Sequence, residues 1–249
     1  MSTSKHSFFE ELRVNKLPTL PHVLNDILTA CQSPTAGMDT LGEIIRHDAT
    51  LTSKLIALAN SASYFQRQKV NNINRALLLI GTEQTKTIAI TAAVQQFFSA
   101  FSAQQTEYLK NFWTVSLSCA LLAKAFANLT QFPRPEEAYL TGLLHNIGEL
   151  ALRTNFPNEY NTIDKNEPIE AESEPRSLTD REEEALQANH CEFGAWLSEQ
   201  WGLSEFASAA IKHHHESLPL LVDAHHLVKI VYVASHLGDT DEQTRQAGM

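Results

Sequence analysis

Glycine, proline and cysteine are all scarce in this chain of 249 residues, which has nine, nine and three of them. Folds rich in β-structure need frequent turns, which glycine and proline supply, so their scarcity favours a helical protein. The cysteines Cys31, Cys119 and Cys191 lie far apart and form no CxxC pair. This spacing predicts reduced thiols in the cytosol, each buried as a small hydrophobic residue, rather than a disulfide framework.

The chain also has no run of lysine and arginine and no long apolar run. Acidic residues outnumber basic ones by 29 to 19, which gives a formal net charge of −10. Nucleic-acid-binding proteins neutralise phosphates with a basic face, so we expect no DNA or RNA partner. No segment approaches about 18 continuous apolar residues, and Met1 to Glu11 has no apolar core of a signal peptide. We therefore expect a cytoplasmic protein with no membrane partner.

Apolar residues make up 43% of the chain and recur at helical spacing along most of it. Leu41, Ile44 and Ile45 share one face of a helix that Asp39 or Thr40 would cap. Further helices are expected over 22–30, 50–62, 74–80, 82–101, 112–129, 136–152, 182–200, 204–216 and 224–237. No stretch alternates apolar and polar residues for long enough to predict a strand. The predicted fold class is all-α.

Several short motifs occur in a characteristic order. They are Leu17-Pro18-Thr19-Leu20-Pro21, Ile44 to Thr52, Leu58-Ala59-Asn60-Ser61-Ala62, Ile73 to Gly81, Phe112-Trp113, Gly142-Leu143-Leu144-His145-Asn146-Ile147-Gly148, His190 within 182–194, Trp201-Gly202-Leu203, and Ala210-Ile211 before His214-His215. Single motifs are weak, but together they resemble the HDOD domain family over about residues 15 to 238. This family is related to the metal-dependent HD phosphohydrolases. The resemblance implies a two-lobed helical protein and a bacterial signalling or regulatory module.

The resemblance and the composition predict four regions. Residues 1–14 form an N-terminal extension, 15–105 an N-terminal helical lobe, 106–238 an HD-like helical lobe, and 239–249 a polar tail. Residues 164–184 hold nine acidic residues, three basic residues and two prolines. This composition predicts an acidic loop that runs into a helix.

The metal site of the HD phosphohydrolases uses His and Asp side chains. By resemblance, its ligand positions fall on Val115, His145, Asn146, His190, His214 or His215, and Ser235. Hydrolysis requires a cation that activates water and carboxylates that hold or bridge the ions. Valine has no donor atom, asparagine is a weak neutral ligand, and serine supplies no carboxylate. The resemblance therefore implies a degenerate site with no catalytic residue.

The remaining imidazoles are the vestigial ligand candidates, namely His145, His190, His214 and His215. No cofactor is expected, although imidazoles alone can retain a divalent transition metal. Without the resemblance, His145 would be interpreted as a core histidine bonded to a backbone carbonyl. Successive helical residues point about 100° apart, so at most two of His213, His214 and His215 can face one pocket.

A groove for a ligand or partner is a second candidate site, and it would include Asn60, Ser61 and Glu216. For Asn60 and Ser61 the alternative is a helix end stabilised by side-chain hydrogen bonds, which we favour.

Three functions remain open. The leading hypothesis is a non-catalytic signalling module that binds an unknown signalling protein or a small nucleotide in the groove left by the degenerate site. The alternative enzyme is a divergent metal-dependent phosphohydrolase acting on a nucleotide or another phosphoester. The third is a structural, self-associating helical protein. Cyclic-dinucleotide phosphodiesterase activity of the HD-GYP type is disfavoured, because Ser217-Leu218-Pro219 stands where Gly-Tyr-Pro would follow His214-His215-Glu216.

Overall fold

The computed structural model describes Phe9 and residues 22–33, 37–64, 68–99, 106–165 and 177–247. Within these ranges all regular elements are helices and no strand occurs, which confirms the all-α prediction. The predicted opening motif 17–21 and the middle of the acidic segment, 166–176, lie outside the described residues. The chain divides into two compact units, Thr19–Gln105 (the N-terminal unit) and Met1–Pro18 with Thr106–Met249 (the C-terminal unit).

Within its described residues, the N-terminal unit contains five α-helices. They are α1 (His22–Gln32), α2 (Met38–Arg46), α3 (Ala49–Ala59), α4 (Ile73–Ile80) and α5 (Thr82–Ser99), with a short 3-10 helix at Ala62–Tyr64. Fully buried Leu24, Ile45, Leu55, Leu77 and Ile90 lie in its core. The unit is thus built from one apolar stripe on each helix, as the spacing predicts.

Helix ends in this unit follow local capping chemistry. The carboxylate of Asp48 accepts from the backbone N–H groups of Thr50 and Leu51 at 2.9 Å, which begins α3. Gly81, with φ of +84°, ends α4 as predicted. The predicted cap of α2 was wrong, because Gly37 occupies the N-cap position, and Asp39 and Thr40 are the second and third residues of the helix.

The C-terminal unit contains eight α-helices within its described residues. They are α6 (Thr106–Leu129), α7 (Pro135–Leu144), α8 (Ile147–Asn155), α9 (Pro157–Lys165), α10 (Leu178–Leu186), α11 (His190–Gln200), α12 (Glu205–Lys212) and α13 (His226–Ala247), with a 3-10 helix at Leu218–Leu221. α6 packs against α7 and α13, and α11 packs against α8 and α12. The last helix continues beyond the predicted end at Leu237 to Ala247.

α6 is the one helix of the described residues that is long and apolar enough, from Tyr108 to Leu129, to cross a membrane by length and composition. From the sequence, no membrane-spanning helix is expected. Within the fold, however, Cys119, Ala123 and Ala127 of α6 are fully buried in the hydrophobic core that this helix shares with α7, α12 and α13. Only 33% of its most apolar stretch is buried inside the fold, and Leu117, Leu121 and Leu129 are exposed, so the core accounts for part of the apolar composition of α6.

The predicted helix over 136–152 is divided in two at His145 and Asn146. In a continuous helix the carbonyl oxygen of Gly142 would accept from the backbone N–H of Asn146. Here that oxygen lies 2.8 Å from Nδ1 of His145, so the imidazole competes for the acceptor. The break places two of the predicted site residues between α7 and α8.

Close backbone packing brings this break to the start of α11. A Cβ atom on Gly148 would overlap the carbonyl oxygen of His190 and lie 2.7 Å from the backbone nitrogen of Gly194. Only glycine permits this approach of α8 to α11. This close approach places the break between α7 and α8 beside His190.

Candidate functional site

His190 begins α11 and is held by a buried carboxylate from α10. Oε2 of Glu182 accepts from Nδ1 of His190 at 2.7 Å and from its backbone N–H at 2.9 Å. Oε1 of the same carboxylate accepts from the hydroxyl of Tyr160 at 2.5 Å. All three side chains are buried. Glu182 therefore fixes both the orientation and the tautomer of His190.

Burial and hydrogen bonding act in opposite directions on His190. Burial lowers its pKa, but the hydrogen bonds to Cys191 and Glu182 outweigh this and raise the pKa well above the usual value. Burial, together with the charge of Glu182, also raises the pKa of Tyr160, so its hydroxyl stays protonated and donates. The result is a buried pair of opposite charges with its hydrogen bonds satisfied.

His145 and His214 each form the same local hydrogen bond, in which Nδ1 of the ring bonds to the backbone carbonyl oxygen three residues earlier. Nδ1 of His145 lies 2.8 Å from the oxygen of Gly142, and Nδ1 of His214 lies 2.6 Å from that of Ile211. Burial lowers the pKa of His145 to about 4 and, with the charge of His215, lowers that of His214 well below the usual value. Both imidazoles are therefore neutral near pH 7, with the proton on Nδ1 and with Nε2 as an acceptor.

Asn146 is bonded to the second nitrogen of His214. The position of its Oδ1 lies 2.9 Å from Nε2. Because Nε2 is an acceptor, the Asn146 amide must turn its NH₂ group toward the ring and donate. An ionised aspartate has no hydrogen to give there. Asparagine thus closes the site with a neutral hydrogen bond at the position where the resemblance expects a metal carboxylate.

Cys191 lies beside these imidazoles. Its Sγ is 3.5 Å from Nε2 of His190 and 3.9 Å from Nδ1 of His214. One ligand atom each from His190, Cys191, His214 and His215 lies within 4.8 Å of all the others. The first three side chains are buried and His215 is exposed. We call these four residues the thiol–imidazole cluster.

The cluster takes two residues of the predicted histidine triplet, His214 and His215. His213 pairs instead with Glu216, with 3.7 Å between Nδ1 and Oε1. The ring of His145 makes an edge-on contact with that of His214, with 5.1 Å between centroids. The structure therefore places all four predicted imidazoles in one region of the C-terminal unit.

Other predicted site residues have structural partners or no donor atom. The hydroxyl of Ser235, on α13, donates to the carbonyl of Tyr232 at 2.9 Å. Val115, on α6, is half-buried.

In the N-terminal unit, the amide of Asn60 joins the end of α3 to Val70. It donates to the Val70 carbonyl at 2.7 Å and accepts from the Val70 N–H at 2.8 Å. The hydroxyl of Ser61 is buried and has no hydrogen-bond partner among the described atoms. Nδ2 of Asn60 also donates to the carbonyl oxygen of Ile56 at 2.8 Å, which is a side-chain hydrogen bond within the last turn of α3.

Sequence reasoning missed Glu182, Tyr160 and the position of Cys191. Cys191 follows His190 directly, and Asn189 caps α11 by accepting from the N–H of Glu192 at 3.0 Å. A cap before an adjacent His-Cys pair was the one local signal, since it places both side chains in the first helical turn. Nothing local indicates that Glu182 contacts His190 across a helix boundary.

Comparison with known proteins gives a consistent result. The model of the HDOD domain family matches residues 17–217. An uncharacterized protein of Treponema pallidum is 23% identical over 205 residues, which are 82% of this chain and 38% of that protein. The chain therefore spans less than half the length of this relative.

Two solved structures share the fold. An HDOD domain protein of unknown function from Geobacter sulfurreducens has a TM-score of 0.72 and 24% identity, over 95% of this chain and 78% of that one. A candidate phosphohydrolase from Shewanella amazonensis has a TM-score of 0.69 and 24% identity, over 93% and 80%. At this level of identity the similarity establishes the fold and not the chemistry.

Proposed function

The chain belongs to the HDOD domain family, and from this premise we propose that it is a cytoplasmic bacterial regulatory module that acts by binding and does not hydrolyse phosphoesters. Its partner would be a signalling protein or a small nucleotide. The observation that carries the proposal is Asn146, a neutral amide that is hydrogen-bonded to His214 at the position where the resemblance expects a metal carboxylate.

The loss of negative charge supports the proposal. A pair of divalent cations requires carboxylates to hold and bridge it. The positions expected to supply them carry Asn146 and Ser235, which are neutral and engaged with His214 and Tyr232. His145 is also neutral near pH 7. Two nearby acids in the sequence are engaged too, since Glu216 pairs with His213 and Asp180 accepts from Ser177.

Exposed apolar side chains support a protein partner. They lie one turn apart on two adjacent helices of the C-terminal unit: Leu117 and Leu121 on α6, Val233 and Leu237 on α13. A Cβ atom on Gly238 would lie 3.8 Å from the backbone nitrogen of Cys119, so the helices are in contact at this level. Exposed apolar groups on neighbouring helices are typical of interaction surfaces.

A hydrolysis assay tests the proposal. The full chain, supplied with Mn²⁺, Ni²⁺ or Zn²⁺, is incubated with nitrophenyl phosphate mono- and diesters and with a panel of nucleotides. We expect no turnover above the metal-only blank. Turnover that His145→Ala abolishes, and that the exposed-residue control His226→Ala retains, would overturn the proposal.

A divergent metal-dependent phosphohydrolase is the second candidate. The observation in its favour is the surviving set of imidazoles, with His190 oriented by the carboxylate of Glu182. Such carboxylate–histidine pairs commonly support metal ligands. This candidate predicts metal-dependent turnover in the same assay, so one experiment separates the two.

A further inference from the structure

We propose that the thiol–imidazole cluster of His190, Cys191, His214 and His215 binds a single Zn²⁺ ion, or a transition-metal ion of similar softness, as a non-hydrolytic site. Such a site differs from a phosphohydrolase centre in its ligands, because a thiolate replaces the carboxylates. It also goes beyond the binding function proposed above, because it assigns a ligand to residues of this chain.

The distances within the cluster suit one tetrahedral ion. Ligand atoms around tetrahedral zinc are about 3.3–3.6 Å apart, as follows from Zn–N bonds of about 2.0 Å and Zn–S bonds of about 2.3 Å. Sγ of Cys191 and Nε2 of His190 are already 3.5 Å apart. All four ligand atoms lie within 4.8 Å of one another. The widest pair would close by about 1 Å for all four atoms to reach one ion.

The orientation of His190 is fixed in the way that metal ligands require. Its Nδ1 is bonded to Glu182, so Nε2 is the nitrogen that faces Sγ of Cys191. A ligating histidine usually bonds its other ring nitrogen to a carboxylate or a carbonyl, which fixes the tautomer and strengthens the ligand. Glu182 is a buried carboxylate with a second donor, Tyr160, holding it in place.

The charges of the site balance with one divalent ion. Zn²⁺, the thiolate of Cys191 and the carboxylate of Glu182 sum to zero, and the three imidazoles bind in their neutral form. Charge balance matters because an uncompensated charge in a buried site is costly. On binding, the thiol proton of Cys191 and the proton on the metal-facing nitrogen of His190 leave for solvent.

Ligand type decides which metal is accepted. A thiolate with imidazoles favours zinc and its neighbours, whereas Mg²⁺, Ca²⁺ and Mn²⁺ prefer oxygen ligands. His214 enters the site by exchanging one of its present hydrogen bonds, to Ile211 or to Asn146, for the metal. The bond to Ile211 is the one we expect to be exchanged, because Nδ1 is the His214 nitrogen that lies 3.9 Å from Sγ of Cys191. The ring proton then moves to Nε2, where Oδ1 of Asn146 accepts it.

Metal titration of the full chain, without a histidine tag and after treatment with chelator, tests the proposal. We expect one Zn²⁺ per chain and, with Co²⁺ as the spectroscopic probe, a thiolate-to-metal charge-transfer band in the near ultraviolet. Cys191→Ser should remove that band and weaken Zn²⁺ binding by at least about 100-fold, because it deletes a direct ligand. Cys31→Ser, which also removes one thiol, should change neither.

Two results would overturn the site: less than stoichiometric Zn²⁺ on the wild-type chain, or Zn²⁺ binding by Cys191→Ser at wild-type strength. If Cys191→Ser does not fold, as judged by circular dichroism, the wild-type Co²⁺ spectrum decides, and absence of the charge-transfer band counts against the proposal.

A second variant tests the role of Glu182 as a positioning residue. Glu182→Gln should weaken Zn²⁺ binding by about 10–100-fold while keeping the charge-transfer band, as expected for a residue that acts through a ligand. Unchanged affinity would contradict that role.

Zinc bound without phosphoester turnover supports this site together with the proposed function. If zinc binds and phosphoesters are hydrolysed, the proposed function is contradicted and this site is not. If neither zinc binding nor hydrolysis is observed, this site is contradicted and the proposed function is not.

Discussion

At the scale of single residues, Glu182 is the most constrained charge in the described part of the C-terminal unit. Its carboxylate accepts from the Tyr160 hydroxyl and from two nitrogens of His190. Glutamine offers one acceptor and turns an NH₂ group toward a donor, which leaves buried groups unpaired. We expect Glu182→Gln to lower the free energy of unfolding by about 3 kcal/mol.

Urea denaturation of the metal-free protein measures this loss. The exposed neighbour Glu184 supplies the control, since Glu184→Gln should change stability by less than about 0.5 kcal/mol. Equal stability of the two variants would show that the Glu182 network contributes little to folding.

Arg153 is a second residue whose chemistry a similar residue cannot replace. Its guanidinium lies between the rings of Tyr108 and Tyr160, 4.6 and 4.4 Å from their centroids. It also forms two bonds to the carboxylate of Asp164, at 2.7 and 3.0 Å. Lysine keeps the charge but loses the planar stacking and the paired hydrogen bonds.

We therefore expect Arg153→Lys to destabilise the protein by about 1–2 kcal/mol. Thermal unfolding measures the change, and Arg75→Lys at an exposed position serves as the control. A midpoint equal to that of the control would mean that charge alone accounts for the contribution of Arg153.

The residues of the candidate site were predictable to different degrees. The motif order located His145, His190, His214 and His215, because each lies in a sequence pattern that the family shares. Glu182 was not identified as their partner, because its bond to His190 depends on how two helices pack. All three cysteines were expected to be buried; Cys119 and Cys191 are, but Cys31 is only half-buried. The distance of Cys191 from Nε2 of His190 follows only from the start of α11.

At the scale of elements, periodicity and breakers located most helices, and side chains that compete for backbone acceptors caused two of the errors. Gly81 ended α4 where expected. The helix predicted over 204–216 ends at Lys212 instead, and there Nδ1 of His214 lies 2.6 Å from the Ile211 carbonyl oxygen. His145 divides the helix predicted over 136–152 in the same way. Apolar spacing does not reveal such side-chain bonds, because they depend on rotamer and burial. The helix predicted over 182–200 is also divided, because Gln187, with φ of +57°, ends α10 before α11 begins at His190.

The contact of α8 with α11 provides a test at this scale. Gly148→Ala would place a methyl group into the carbonyl oxygen of His190, which is backbone and has little freedom to move. We expect a loss of more than about 3 kcal/mol, because the two helices must separate. Chemical denaturation, with loss of helical circular dichroism as the signal, measures it.

Gly37→Ala is the matched control for that substitution. A Cβ atom on Gly37 would meet no atom within 4 Å, and its φ of −91° suits alanine. Its effect should remain within about 1 kcal/mol. If Gly148→Ala were equally mild, the close approach of α8 to α11 would not be needed for stability.

At the scale of the whole molecule, the net charge of −10 affects which kinds of partner the protein can bind. Binding to a duplex draws most of its affinity from neutralised phosphates and released counterions. With 29 acidic and 19 basic residues, the chain has a net negative charge that opposes binding to the phosphates of DNA. We expect no change in the fluorescence anisotropy of a labelled duplex at about 0.15 M salt with micromolar protein, where non-specific binders have dissociation constants of about 10⁻⁴–10⁻⁶ M.

Binding that weakens steeply with added salt would contradict this expectation, because it would require a local basic surface strong enough to outweigh the net charge. In that case the exposed apolar residues of α6 and α13 would no longer be the best-supported docking surface, and nucleic acid would be a better-supported partner than a protein.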